Sequence, residues 1–161
     1  NIMTYSNAQF VVLGSGDWEY EQFFKEMQAK YPGRFVLCQG FVPELARKIY
    51  GGSDIFLMPS KSEPCGLSQM VALRYGSIPV VRETGGLKDS ITDSGDGKGN
   101  GFTFQTYDTQ DMLNSVHRAI YAYNESKDGW KVLVERAMAC DNSWGRSAND
   151  YIRLYKQLIN S

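Results

Sequence analysis

The 161-residue chain has few of the residues that build metal sites and nucleophilic triads. It contains three cysteines (Cys38, Cys65 and Cys140), no Cys-x-x-Cys pair, and one histidine, His117. An odd, widely spaced set of cysteines argues against a disulfide framework and against a zinc site. One histidine largely excludes Ser-His-Asp catalysis and histidine metal clusters. Any catalysis is therefore expected to use carboxylates, basic side chains or backbone dipoles, in a reducing cytoplasm.

The chain also lacks an excess of charge and any long apolar run. Lys and Arg total 17 against 18 Asp and Glu, so the net charge is -1. A general nucleic-acid or anionic-membrane binder needs a basic excess, so neither partner is expected. No run approaches the ~20 apolar residues of a membrane span, so neither a membrane span nor a signal peptide is expected. With 42% hydrophobic residues, the composition is that of a globular domain with a core.

Short apolar runs alternate with helical patterns through the first two-thirds of the chain. Strands are predicted at residues 8–13, 35–38, 55–58, 78–81 and 101–104, and helices at 18–30, 43–50 and 66–75. This alternation predicts an α/β, Rossmann-like fold with a parallel sheet and helices on both faces. Residues 93–100, rich in Gly and Asp, are predicted to form a surface loop.

From residue 108 onward the pattern is entirely helical. Three apolar stripes stand at helical spacing: Met112, Val116, Ile120 and Tyr123; Trp130, Leu133, Val134, Ala137 and Met138; and Trp144, Ala148, Tyr151, Ile152 and Tyr155. We interpret all three as core packing. Residues 1–161 are thus predicted to form one domain, with an α/β part at about 8–106 and helices at about 108–160.

Gly14-x-Gly16 follows the first predicted strand and is only a weak sign of dinucleotide binding. The third glycine of that fingerprint is missing, and Asp17 and Glu19 would oppose a phosphate at the helix start. We interpret the segment as a tight turn in which Asp17 could cap the helix.

Residues 59–69 carry more chemistry, because they follow the carboxyl end of a strand, where open α/β sheets bind ligands. Pro64 restricts Glu63 to an extended backbone. The N–H groups of Gly66, Leu67 and Ser68 would form an anion site at a helix start. A carboxylate beside a phosphate site suits a sugar nucleotide. An ordinary strand–loop–helix connection with a surface glutamate explains the segment equally well.

Two neighbouring features are ambiguous on their own. Cys65, near the helix start, could act as a nucleophile, but no base is adjacent and a packed thiol fits better. Thr84-Gly85-Gly86-Leu87 is a glycine turn after the next strand, at the same edge of the sheet. Its glycines would let the backbone approach a ligand closely.

Taken together, these motifs resemble bacterial glycogen synthase and plant starch synthase. The matching segments are residues 12–17, 50–54, 60–69, 72–76, 79–82, 84–87 and 141–144, and the similarity runs from about residue 9 to the C-terminus. The resemblance implies a retaining glucosyltransferase of the GT-B type, with two Rossmann-like domains facing a cleft. Such an enzyme moves glucose from ADP-glucose to the non-reducing end of an α-1,4-glucan and needs no metal or other cofactor.

The same resemblance suggests roles for single residues. Glu63 matches the family's essential glutamate, near the donor glucose. Cys65, Gly66, Leu67 and Ser68 match the segment that binds the donor diphosphate, and Thr84, Gly85 and Gly86 belong to the second donor-binding motif. Phe41 falls where the family often places a tyrosine against the adenine. Many related transferases have a second glutamate where this chain has Val71, which favours the glycogen and starch synthases.

Departures from the family pattern set further expectations. The N-terminal domain is absent, as is the first strand of the C-terminal domain with the Arg and Lys that follow it. We therefore expect a C-terminal-domain fragment that is inactive alone, from a bacterial cytoplasm rather than a plastid. Strands 8–13 and 55–58 would flank a gap, closed by direct pairing, by a swapped strand or by residues 1–6. A stand-alone nucleotide- or glucan-binding module and another nucleotide-sugar transferase remain alternatives, as does UDP in place of ADP.

Overall fold

The computed structural model describes residues 2–160, and in this range the chain alternates strands and helices. The strands are β1 Phe10–Gly14, β2 Phe35–Gln39, β3 Ile55–Met58, β4 Ile78–Arg82 and β5 Phe102–Phe104. The helices are α1 Ile2–Tyr5, α2 Trp18–Lys30, α3 Pro43–Gly52, α4 Ser68–Tyr75, α5 Gly85–Ser90, α6 Thr109–Glu125, α7 Lys127–Met138 and α8 Trp144–Ile159. The predicted α/β class is confirmed.

The strands form two parallel sheets. One contains β1 and β2, and the other has the order β3-β4-β5. In the larger sheet Val80 of β4 pairs with Leu57 on one side and with Phe102 on the other. This arrangement is the order expected for the fold, 3-2-1-4-5-6, without its strand 1. We call β3, β4 and β5 with α4 to α7 the three-stranded half, and β1, β2 and α2 the two-stranded half.

No ladder joins β1 to β3 among the described residues, so direct pairing across the predicted gap was the wrong alternative. Residues 2–5 form α1 instead of a strand, and Asn1 lies outside the described residues. Ile2 packs against the core of the three-stranded half, whereas the Thr4 hydroxyl lies 3.4 Å from the Tyr31 hydroxyl after α2. Helix α1 thus contacts both halves through its side chains and, among the described residues, takes no part in either sheet.

Helix α3 follows β2 in the chain and packs against the three-stranded half. The Tyr50 ring lies 5.3 Å from the ring of Phe56 in β3 and 6.1 Å from that of Tyr75 in α4, centroid to centroid. Both distances are within the range of favourable aromatic contacts. The chain thus passes from β2 into the three-stranded half through a helix that packs on β3 and α4, and no backbone ladder joins the two sheets among residues 2–160.

The core lies in the three-stranded half. Residues Ile78 to Val81 of β4 are fully buried because β4 has a strand on each side and helices on both faces. Each surrounding helix contributes apolar side chains to this cluster: Leu73 from α4, Leu87 from α5, Val116 and Ala119 from α6, and Leu133 and Ala137 from α7. The first two C-terminal stripes therefore pack as predicted at their central positions.

The third stripe does not pack, and its interpretation as core was wrong. Trp144 is 88% exposed, and Tyr151, Ile152 and Tyr155 are also exposed. Helix α8 has strong apolar periodicity but no buried residue. Periodicity identifies an apolar face without identifying what covers it, and no described element covers this one. None of the described helices is long and apolar enough to cross a membrane.

Candidate donor-binding site

The loops that follow β3 and β4 are in direct contact at the carboxyl edge of the larger sheet. The Gly86 N–H lies 3.2 Å from the Glu63 carbonyl oxygen and 3.3 Å from that of Pro64. A Cβ at Gly85 would stand 2.0 Å from the Glu63 carbonyl oxygen, and one at Gly86 equally close to that of Cys65. The glycines thus permit approach of the chain's own backbone, where the sequence had suggested approach of a ligand.

The position of Glu63 is set by the contact between the two loops. Its backbone carbonyl is engaged by Gly86, while its half-buried carboxylate has no hydrogen-bond or ion-pair partner among residues 2–160. Pro64 follows it and restricts its backbone. A fixed backbone with an unpartnered carboxylate is an arrangement that can accept hydrogen bonds from a ligand's hydroxyl groups.

The start of α4 offers unpaired donors beside Glu63. Within the described chain, the N–H groups of Gly66, Leu67 and Ser68 have no acceptor. Leu67 occupies the N-cap position without a side-chain cap, and Gly66 has φ +68°, which favours glycine. Unpaired N–H groups at a helix start attract anions through their own dipoles and that of the helix. These three N–H groups are therefore available to a ligand, and their role as a phosphate site stays a prediction.

Gln69 is a residue of this region that sequence reasoning missed. It shares the buried face of α4 with Ala72 and Leu73 and is itself 0% exposed. Its Nε2 lies 2.8 Å from the Gly66 carbonyl oxygen and 3.0 Å from Ser90 Oγ on α5. A polar residue at a helical spacing otherwise occupied by buried apolar residues was the available signal.

Arg82, at the end of β4, is a second residue that sequence reasoning missed, and it hydrogen-bonds to the loop after β3. Its Nη1 donates to the carbonyl oxygen of Lys61 over 2.8 Å. Its Cζ lies 5.8 Å from the centroid of the Tyr107 ring, on the loop after β5. That loop is held by Asp111, whose carboxylate accepts from the hydroxyl and the N–H of Thr106, and these hydrogen bonds hold the pKa of Asp111 below its usual value. All three loops at this edge are thus tied to one another or to a helix.

Other sequence-predicted residues lie apart from this arrangement or differ from expectation. Phe41 follows β2 and is 92% exposed, so it packs against neither glycine loop. Cys65 is exposed, which makes its interpretation as a packed thiol wrong.

At the first glycine turn the Gly16 N–H is already engaged by Glu21 Oε1 at 3.2 Å, which agrees with a tight turn. Asp17 holds the N-cap position of α2 but makes no side-chain cap.

Comparison with known proteins identifies the fold and the family. The family model "Glycosyl transferases group 1" matches residues 2–129. The chain belongs to this family. It is 52% identical over 159 residues to the glycogen synthase of Geobacillus thermodenitrificans, covering 98% of the chain and 33% of that protein. It is 50% identical over 155 residues to the glycogen synthase of Pseudothermotoga lettingae, covering 95% and 32%. The chain thus spans about a third of these glycosyltransferase relatives.

Solved structures give the same result. The catalytic domain of starch synthase IV from Arabidopsis thaliana, bound to ADP and acarbose, superposes with a TM-score of 0.82 at 40% identity, over 95% of this chain and 33% of that one. A sucrose-phosphate synthase from Thermosynechococcus elongatus superposes with a TM-score of 0.63 at 21% identity, which concerns the fold alone. The resemblance to glycogen and starch synthases drawn from the motifs is confirmed.

Proposed function

We propose that this group 1 glycosyltransferase chain binds the nucleotide-sugar donor in a retaining transfer of glucose from ADP-glucose to an α-1,4-glucan. The observation that carries the proposal is the unpartnered Glu63 carboxylate beside the three unpaired N–H groups at the start of α4. ADP as the nucleotide is supported by the ADP-bound starch synthase IV. The glucan acceptor and a bacterial cytoplasmic location are supported by the bacterial glycogen synthases.

The chemistry follows from where charge develops during transfer. As the bond to the anomeric carbon breaks, the leaving diphosphate gains negative charge and the sugar becomes oxocarbenium-like. Fixed N–H donors at Gly66, Leu67 and Ser68 stabilise the leaving group more than the bound donor, and such stabilisation lowers a barrier. The Glu63 carboxylate accepts from the sugar hydroxyls and orients the ring. The acceptor hydroxyl oxygen then bonds to the anomeric carbon from the face that the diphosphate leaves, and its proton passes to the leaving diphosphate.

The proposed role is tested by titrating the ¹⁵N-labelled chain with ADP and following its amide resonances. We expect a Kd for ADP of about 1 mM, which corresponds to a binding free energy of roughly 4 kcal/mol. The binding is weak because a helix start contributes only about 0.3–1 kcal/mol to an anion. The largest changes should fall at residues 63–68 and at Phe41. Adenosine, which has no phosphate, should leave the amides of Gly66 to Ser68 unmoved.

Three outcomes would contradict the proposal. One is the absence of any change with ADP. Another is a set of changes centred on Gly14 to Asp17, which would favour dinucleotide-type binding. The third is an equal response to adenosine and ADP, which would show that the helix start does not contact the phosphates. Binding of a maltooligosaccharide without ADP binding would instead favour a glucan-binding module.

A further inference from the structure

Gln69 and Ser90 connect the two loops of the candidate site from beneath. The two hydrogens of Gln69 Nε2 face three acceptors: the carbonyl oxygen of Gly66 at 2.8 Å, Ser90 Oγ at 3.0 Å and the carbonyl oxygen of Cys65 at 3.3 Å, so one hydrogen is shared between two acceptors. The Ser90 hydroxyl donates in turn to the Gly86 carbonyl oxygen at 2.6 Å. Because the Gly86 N–H donates to Glu63, these bonds form a closed circuit that joins α4, α5 and both loops.

The cost of burying Gln69 indicates that it does more than fill space. Its Oε1 is buried and has no partner in the described chain. A buried polar atom left unpaired lowers stability, whereas an apolar side chain of the same length would fill the site without that penalty. What the amide adds is geometry, because its donors fix the Cys65 and Gly66 carbonyls and leave the neighbouring N–H groups in a single orientation.

We propose that Gln69 and Ser90 are positioning residues, which hold the Glu63–Gly66 loop against Gly86 so that the carboxylate and the helix-start N–H groups meet one donor molecule together. The inference rests on the proposed function, since it concerns the geometry of the same donor site. Neither side chain touches the donor. Both act through backbone carbonyls of the residues that do.

Ser90→Ala and Ser115→Ala are a matched pair for the test. Ser115 is 3% exposed, and its hydroxyl donates to one backbone carbonyl, that of Thr103, over 2.6 Å. Its hydroxyl does not contact either glycine loop. Both variants should lose similar stability in urea. ADP affinity measured by amide titration should fall about tenfold in Ser90→Ala, equivalent to about 1.4 kcal/mol, and less than twofold in Ser115→Ala.

Two further variants separate positioning from packing. Ser90→Thr keeps the hydroxyl and should restore most of the ADP affinity. Gln69→Met keeps the volume and removes the amide, so the chain should stay folded while the amide resonances of Gly66 to Ser68 move and ADP affinity falls. If the wild-type chain does not bind ADP, both the proposed function and this inference are overturned. Normal binding by the wild type with equal ADP affinities in Ser90→Ala and Ser115→Ala would overturn this inference alone.

Discussion

β4 and β2 are both parallel strands of one fold, but their surroundings differ. Four of the five β4 residues are buried, whereas β2 buries only Phe35 fully, and α2 beside it has no buried residue. The larger sheet is covered on both faces, while β1 and β2 each have a single strand neighbour and rely on ring contacts such as Phe10 on Phe35, 5.5 Å apart. The difference shows that equal secondary structure need not mean equal packing.

The position of the candidate site follows this difference. Glu63, Gly66 and Gly86 all lie on loops that leave the three-stranded half, and they are joined by hydrogen bonds. Phe41 and the Gly14–Gly16 turn leave the two-stranded half and make no such connection to those loops. The loop residues of the proposed donor site thus stand on the better-packed half, which suits the general need for rigid support of functional groups, whereas Phe41 stands on the other half.

The largest expected difference in stability comes from a Val→Ala substitution in each half, which removes two methyl groups in both cases. Val80 in β4 is fully buried, whereas Val36 in β2 is 40% exposed. We expect Val80→Ala to lower the free energy of unfolding by about 2–3 kcal/mol, from lost burial plus a cavity, and Val36→Ala by less than about 1 kcal/mol. Urea unfolding followed by circular dichroism measures both. Equal losses would show that the two halves are equally packed.

A smaller effect is expected from a methyl group added at a glycine of each half. In Gly86→Ala the new Cβ would meet the Cys65 backbone at 2.0 Å, so the loops must separate, whereas at Gly14 nothing lies within 4 Å. We expect Gly86→Ala to cost about 1–3 kcal/mol and to abolish detectable ADP binding. Gly14→Ala should stay within about 0.5 kcal/mol of the wild type. Normal ADP binding by Gly86→Ala would mean that the loop contact is dispensable.

The smallest expected effect on stability concerns the hydrogen bonds of one carboxylate, Asp93, in the three-stranded half. Burial raises the pKa of Asp93, but hydrogen bonds from Arg118, Thr103 and Gly95 outweigh it and hold the pKa below its usual value. A lowered folded pKa contributes stability above the unfolded pKa of about 3.9, and this stability is lost as pH falls through the folded value.

Asp93→Asn should therefore lower stability by about 1 kcal/mol at neutral pH, a modest figure because solvent screens a partly exposed pair. The difference from the wild type should shrink as pH falls below about 4. Urea unfolding at several pH values measures it. Asp96→Asn is the control, since the exposed Asp96 carboxylate accepts one bond, from the Lys98 N–H. A constant Asp93→Asn difference at all pH values would contradict the assignment.

The strand order and the strand bounds, to within about two residues, could be predicted from the sequence because alternation and turn residues are local signals. The donor-binding role of the Glu63–Ser68 segment stays a prediction. Sequence reasoning missed α5, since Gly85-Gly86 favours a turn and only contact with Cys65 explains both glycines. It also missed the hydrogen bonds from Gln69 to Ser90 and from Arg82 to Lys61, each of which joins residues 21 positions apart in the chain. Hydrogen bonds between distant segments leave no periodic trace.

The bare apolar face of α8 has a practical consequence for measuring unfolding. Dyes that fluoresce in apolar surroundings bind exposed hydrophobic surface, and the folded chain already presents Tyr155, Leu158 and Ile159 to solvent. A dye-based melt would therefore begin from a bright baseline. Intrinsic emission has a related weakness, because two of the three tryptophans, Trp18 and Trp144, are 72% and 88% exposed before any unfolding. Far-ultraviolet circular dichroism follows the helices themselves and is the appropriate readout for this chain.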